Sequence, residues 1–427
     1  MMDEKRGLSR RMVIGGGLAA AAALSLPMLD DEAEADTLSH FEPLPPGTRI
    51  DAPDFDSRGP DGESFKAGVR PTRPMAGIRM ERQVIGSGAA RKVIIHHYGH
   101  GGAGITLSWG SAKRAVGLIE TAVREVMAAG ETPRIVILGA GIIGMTTARE
   151  LVDRWQRDWP ALRLTVRAKA FRDTTSFVAA GQFEPSVVFR DYYRLGRTDE
   201  LKGILRDSHN KLLDFGRDKR QRYGIRRRRN FAIMRTIDAF DARYMPPEVV
   251  GPPRRWTSLP INGLSDLSGY EYETWLVNPT VLLPILREEL TAEGVVFRIG
   301  DSRVVSRAEI PALDSNIIVN CTGIGSKLLF DDAALEGRRG HVIKLNNPRN
   351  LRYFLSAGCN EGMADMPNYR SAYIFARQDD VIVGGSWTSD FDPANPVRVD
   401  PVQCREILAR VRGIMAGRTD CVPVGPR

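Results

Sequence analysis

The apolar positions of this chain fall into two alternating patterns. Residues 93–95 and 134–138 form short, nearly unbroken apolar runs, as strands buried on both faces of a parallel sheet do. From Ser111 onward, Ala112, Ala115, Val116, Ile119, Val123 and Val126 recur at helical spacing. Residues 127–133 read as a short turn, after which a glycine turn follows residue 138 and a second amphipathic helix runs to Trp155. Strands are expected over 162–166, 295–298, 304–306 and 317–320, and a helix over 277–293 that opens on Asn278-Pro279. Between 340 and 390 the stretches HVIKL, YFLSA, SAYIFAR and DVIVGGSW predict antiparallel strands, and 404–415 a last helix. Residues 190–275 read as helices and loops and offer little chemistry.

The turn after residue 138 carries Gly139, Gly141 and Gly144 in G-x-G-x-x-G spacing. Between a strand and a helix this spacing suits a dinucleotide: Gly139 permits the tight turn, Gly141 admits a pyrophosphate and Gly144 lets helix pack on strand. The phosphates would rest on free N–H groups at the positive helix end. An ordinary strand-to-helix turn is the alternative. Residues 96–110, HHYGHGGAGITLSWG, make a second glycine loop feeding a helix, suited to an anion. His96, His97 and His100 lack a nearby carboxylate or thiolate, so no metal is expected. Prolines stiffen residues 68–74, GVRPTRP, from which Arg70 and Arg73 project as forks for a carboxylate or phosphate. Surface arginines are the plain alternative.

With 427 residues, 42% hydrophobic and 26% charged, the chain is an ordinary globular protein of about two lobes. A net charge of +8 does not imply nucleic acid, and the basic run 226–229 has no interleaved aromatics. Four cysteines, Cys321, Cys359, Cys404 and Cys421, make neither a disulfide framework nor a zinc site. Near the start, Arg10 and Arg11 form a twin-arginine motif, followed by an apolar Ala-rich stretch and a small-x-small cleavage site at 33–35. The expected location is periplasmic or extracellular, without a stable membrane anchor.

Taken together, the GAGIIG turn, the TTSFVAAG loop at 174–181, NCTG at 320–323, the RGH–IKL strand, Tyr369 and Tyr373 in NYRSAY, and VGGSW resemble the D-amino acid oxidase family. Members of that family carry the G-x-R-P-x-R-P stretch and the HNYGHGG-type loop after these motifs. Here both precede them, each segment occurring once, which reads as a circular permutation. The implied fold class is α/β, or α+β overall: a Rossmann-like FAD-binding lobe plus an antiparallel-sheet substrate lobe, circularly permuted. The implied division is a signal at 1–35, an extended lead-in at 36–67, a permuted C-terminal segment of the FAD lobe at 68–130 and the dinucleotide-binding unit at 131–190. A helical and loop insertion at 191–275, a return to the FAD lobe at 276–330 and the substrate sheet at 331–427 complete it.

The resemblance implies FAD as cofactor and oxidative deamination of D-amino acids by hydride transfer from Cα to flavin N5, with oxygen as acceptor. Arg70 would clamp the substrate carboxylate, Tyr373 would bind the same group and Tyr369 would cover it. No general base is required, because the neutral amine can lose hydride directly. Flavin contacts would come from Gly139, Gly141, Ile142, Ile143 and Gly144; from Thr174, Thr175, Ala180, Gly181 and Gln182; from Val304; and from Gly101, Gly102, Ala103, Gly104, Ile105 and Thr106. Two positions depart from the family: Lys169 replaces an acidic ribose partner, and Glu184 a neutral amide. Glu184 is either a bias toward basic substrates or a solvent-facing carboxylate. The rival functions are a flavin dehydrogenase using a quinone-type acceptor, a non-catalytic flavin-binding protein and an NAD dehydrogenase. Among partners, no nucleic acid is expected, and a homodimer is allowed.

Overall fold

The computed structural model describes residues 41–57, 64–88, 91–126, 132–158, 161–172, 174–233, 246, 248–300, 307–358, 371–389 and 397–418. The twin-arginine stretch, Val304, Tyr369, Cys359 and Cys421 lie outside them. Two sheets carry the fold. β1 (Phe65–Thr72) opens the larger one, while β2 (Arg79–Ile85) and β3 (Lys92–Tyr98) enter the smaller. The apolar run 134–138 is β4 (Arg134–Leu138), followed by β5 (Arg163–Ala168). With β9 (Val296–Ile299) and β10 (Ile317–Asn320) they make a six-stranded sheet in the order β2-β3-β10-β4-β5-β9. All its pairings are parallel except β2 with β3. Both faces are covered, so β3 and β10 are buried throughout. Helices α1 (Gly104–Val126), α2 (Ile142–Asp158) and α7 (Pro279–Ala292) supply that cover, with Ala148, Leu151, Trp155, Leu283 and Leu286 in one apolar cluster. No helix among the described residues is long and apolar enough to cross a membrane.

The second sheet has eight strands in the order β1-β11-β14-β13-β12-β6-β8-β7. Here β11 is Glu336–Asn346, β12 Tyr353–Gly358, β13 Ser371–Ala376 and β14 Asp380–Gly384. The expected strands between 340 and 390 are therefore present. The sheet is mixed, because β12 runs parallel to β6 (Ile225–Ile233). Helix α9 (Pro401–Met415), capped by Asp400, packs on β11, β13 and β14.

Three expectations need correction. Residues 191–275 are not an insertion of helices and loops. After α4 (Ser186–Arg194), α5 (Thr198–Asp214) and α6 (Gly216–Arg222) they supply β6, β7 (Arg254–Trp256) and β8 (Gly269–Val277). The charges on β6 hide its alternation: Arg227 pairs with Glu273 and Arg229 with Glu271, diagonally across to β8. Segment 68–130 does not belong to the flavin lobe alone, because β1 joins the substrate sheet against β11. The glycine loop is shorter than residues 96–110, because α1 begins at Gly104. Gly110 lies inside that helix, where an added Cβ would stand 2.0 Å from the Ile204 carbonyl of α5. It serves helix packing.

The three histidines fix the remaining loop. His96 Nε2 is 2.8 Å from Gln83 and its Nδ1 3.2 Å from Asn320. His97 Nδ1 reaches Thr147 on α2 at 3.0 Å, and His100 Nε2 reaches Ser111 at 3.1 Å. Burial pushes His96 and His100 down to about 3 and His97 well below its ordinary value. The unfolded chain therefore binds more protons, so stability is present above the unfolded value near 6.5 and falls with pH below it. Acidification from pH 6.5 to 5 is expected to cost roughly 2 kcal/mol for each of His96 and His100. Calorimetric melting across that range checks this, and an unchanged Tm at pH 5 would contradict it.

Candidate active site

Two helix N-termini, those of α1 and α2, meet. At α2, the first intrahelical bond runs from Met145 N–H to the Gly141 carbonyl, and Ser176 takes the Ile142 N–H, which leaves the N–H groups of Ile143 and Gly144 in the first turn. At α1, Leu107 donates to Ala103, which leaves Gly104, Ile105 and Thr106. A Cβ on Gly104 would sit 3.6 Å from Ile142 and 3.9 Å from Ile143, so the two positive ends are adjacent.

At Gly139 and Gly144 the turn and the close packing are as expected. Gly139 has φ +105°, and an added Cβ would lie 2.4 Å from the Cys321 carbonyl. At Gly144 a Cβ would lie 2.0 Å from the Gly139 carbonyl, so this position holds helix against turn. Gly141 meets only the Ser176 hydroxyl, at 3.1 Å, and so leaves room for a ligand. Asn320 organises the neighbouring NCTG turn, its Oδ1 accepting from Thr322 N–H at 3.2 Å and Thr322 Oγ1 at 2.7 Å. The turn before α1 holds Gly101 and Gly102 at φ +58° and +95°.

The loop at 174–182 spans the two sheets. Thr175 bonds the Val69 backbone at 2.9 and 3.2 Å, tying α3 (Thr175–Val178) to β1. Its hydroxyl is thereby committed to the protein. Thr174 Oγ1 is buried and has no hydrogen-bond partner among the described residues. Ser176, unremarked in the sequence, accepts the Ile142 N–H at 2.9 Å. Gly181, at φ +93°, accepts from Val277 N–H, which runs residues 181–183 alongside β8. Ala180 packs with Tyr373 on the cluster of Leu276, Phe354 and Phe375. Thr106 Oγ1 holds the Glu184 backbone, donating to its carbonyl at 2.8 Å and accepting its N–H at 2.9 Å. Lys169 is exposed at the end of β5.

These features fit FAD. The starts of α1 and α2 are adjacent and Gly141 is open beside them, so the N–H groups left over in the two first turns would be completed by a diphosphate.

On the substrate side, Arg70 leaves β1 with its stem over Gly102, where an added Cβ would be 2.9 Å away, and its tip over Gly340, where one would be 2.3 Å away. Its Nη1 donates to the Ser386 carbonyl at 3.4 Å, and its guanidinium is within hydrogen-bonding reach of the Tyr373 hydroxyl. Among the described residues, no carboxylate pairs with Arg70. Burial pushes the Tyr373 phenol up, while Arg70 pulls it back. Gly384 makes room for that phenol, since a Cβ there would sit 2.2 Å from its oxygen. Arg73 has a different task. Its Nε donates to Asp332 at 2.9 Å and its Nη1 to the Gly77 carbonyl at 3.1 Å, while Tyr98 donates to the same Asp332 at 2.7 Å. It is a structural ion pair, not a fork for substrate.

Beyond Tyr373 the wall is polar. Asn230, Tyr272 and Ser356 share its face, and sequence reasoning passed over all three. The alternation in GYEYETW, which places every second residue on one face, was the available signal. Among the described residues, no group of three or more His, Cys, Asp or Glu is placed to hold a metal.

Residues 134–425 match a protein-family model described as "DAO: FAD dependent oxidoreductase". A D-amino-acid oxidase of Streptomyces coelicolor is 28% identical over 271 residues, which cover 61% of this chain and 73% of that protein. One from Rubrobacter xylanophilus is 41% identical over 150 residues, covering 34% of this chain and 42% of that protein. Among solved structures, iminodiacetate oxidase from Chelativorans sp. BNC1 aligns with a TM-score of 0.43 at 16% identity, covering 67% of this chain and 79% of that one.

Proposed function

The chain belongs to the FAD-dependent oxidoreductase family matched by residues 134–425, and on that premise we propose that it oxidises D-amino acids to 2-oxo acids, releasing ammonia and hydrogen peroxide. The observation that carries this reading is the Arg70–Tyr373 pair. It is a guanidinium with no carboxylate of its own among the described residues, beside a phenol, in the wall next to the flavin cradle. The starts of α1 and α2 would hold FAD, which when bound would supply the two-electron acceptor.

The protein's own part is binding and orientation. Arg70 offers a planar fork to the substrate carboxylate, and Tyr373 donates its hydroxyl to the same group. Its raised pKa keeps that hydroxyl protonated as a donor. The positive ends of α1 and α2 favour negative charge on whatever they hold. The D-amino-acid oxidases among the relatives support the substrate class. The twin-arginine motif supports export, which suits an enzyme that takes up its cofactor before leaving the cytoplasm.

We further infer a circular permutation. The family match starts at β4, yet β1, β2, β3 and α1 precede it and pair into both sheets.

The purified protein is expected to show the bands of oxidised flavin and to release peroxide with D- but not L-amino acids. Flavin that bleaches without peroxide would mark a dehydrogenase with another acceptor. A protein that takes up no FAD would defeat the reading at its base.

A further inference from the structure

Glu184 stands across the substrate wall from Arg70. The two are joined by a continuous row of polar side chains. Asn230 and Tyr272 are directly opposite each other on β6 and β8, and Ser356 and Tyr373 are directly opposite on β12 and β13. Asn230 Nδ2 donates to Ser356 Oγ at 3.2 Å, which places both pairs on one face. Gln182 Nε2 donates to Asn230 Oδ1 at 3.3 Å from the loop beside β8. The Tyr272 hydroxyl donates to Glu184 Oε2 at 3.2 Å and also reaches Ser356 and Gln182. The Glu184 carboxylate therefore lies near Ser356, whose Cβ is about 5 Å from that of its cross-strand neighbour Tyr373. Tyr373 in turn contacts Arg70. An anion and a cation thus border the same ground from opposite sides.

The anion lacks a counter-charge. Nearby acids on this sheet are paired with arginine: Glu271 with Arg229, Glu273 with Arg227, Asp380 with Arg377. Among the described residues, Glu184 makes no ion pair with Lys, Arg or His, and Tyr272 is the side chain that hydrogen-bonds its carboxylate. The backbone is held still by Thr106 of α1, so the carboxylate is positioned rather than loose. Burial raises its pKa, a penalty that an arriving cation would relieve. A carboxylate held without a cationic partner among the described residues, at the edge of such a wall, is a place for a ligand's positive charge.

We propose that Glu184 is the specificity residue of this site: it receives the side-chain cation of a basic D-amino acid whose α-carboxylate Arg70 holds. This rests on the oxidase reading above and adds the substrate class to it. The Arg70 end selects an α-amino acid, and the Glu184 end selects among side chains by charge and length. Short or acidic substrates leave Glu184 unpaired or repelled.

The test is a peroxide assay with D-arginine, D-lysine, D-norleucine and D-glutamate, on the parent enzyme and on Glu184→Gln. The parent is expected to favour the two basic substrates over D-norleucine roughly 10-fold or more in kcat/KM. Glu184→Gln is expected to lower the D-arginine to D-norleucine ratio roughly 30-fold, mainly through KM. A ratio unchanged by the substitution overturns the proposal. So does a parent enzyme that treats D-lysine and D-norleucine alike, a result that stands even if Glu184→Gln fails to fold. A parent enzyme that oxidises D-norleucine but shuns basic substrates refutes the Glu184 assignment alone. A parent that oxidises no D-amino acid removes the oxidase reading itself, and this proposal with it.

Discussion

Arg70→Leu is expected to lower kcat/KM for every substrate roughly 30-fold to several-thousand-fold, the equivalent of about 2–5 kcal/mol, while FAD stays bound. The large figure follows from what Arg70 lacks and what the fold leaves around it. Its donors meet only the Ser386 carbonyl at 3.4 Å and the Tyr373 hydroxyl among the described residues. Gly102 and Gly340 are both bare where it passes, and an added Cβ at Gly340 would lie 2.3 Å from Nη1. Space has been cleared for a guanidinium that pairs with no carboxylate among the described residues. Arg70→Lys keeps the charge but loses the planar fork, so it should recover only part of the activity. Visible spectra report FAD in each variant, and steady-state rates report the substrate. An Arg70→Leu enzyme with normal flavin and an unchanged KM would show that the carboxylate is held elsewhere. Arg73→Leu is the useful contrast: its loss breaks the Asp332 pair at 2.9 Å and should lower Tm before it changes KM.

The two arginines mark where sequence reasoning reached and where it stopped. Both project from one stiff GVRPTRP stretch, and nothing local distinguishes them. The difference is made by Asp332, 259 positions from Arg73 along the chain, so it is a fact of tertiary structure. The glycine fingerprint was legible because its requirements are local: a turn at Gly139 and a close approach at Gly144, both within a few residues. Gly110 misled for the complementary reason. It looked like part of a bare loop, yet the α5 backbone that needs its missing side chain is remote in sequence. Strands β6 and β8 were invisible because their outward positions carry arginines and glutamates that satisfy one another across the ladder. Period-2 reading sees only apolar contrast, and an ion-pair ladder removes it. The wall formed by Asn230, Tyr272 and Ser356 went unread with those strands. Glu184 was singled out from sequence, but its bond from Tyr272 and its lack of a cationic partner among the described residues became visible only in the fold.

A chain reduced to residues 132–427, which contains the whole family match, is expected to give no soluble flavoprotein. Without β3, the buried strand β10 loses its neighbour over four register positions, from Val93 opposite Ile317 to His96 opposite Asn320, and becomes an open edge. Without α1, the cluster loses Leu107, Trp109, Val116, Ile119 and Val123, and the cradle loses one of its two helix starts. Without β1, Arg70 is gone and β11 loses its outer partner along eight positions, keeping only β14. The same material placed at the other end should restore everything. The end of α9 is already beside the segment that leads into β1: Arg412 donates to the Phe55 carbonyl at 3.0 Å, and the Met415 carbonyl lies against Gly263, whose neighbour Asn262 donates to the Ile50 carbonyl at 2.8 Å. A chain running 132–427 and then 41–126 therefore needs only a short connection, and loop closure costs little at that length. It is expected to bind FAD with the parent's spectrum and to turn over within a few-fold of the parent. A truncated chain that folds and binds FAD unaided would make β1–β3 and α1 an ornament, not a displaced part of the domain. A reordered chain that fails to fold where the parent succeeds would mean that the present order is itself a requirement of the structure, and the permutation reading would fall.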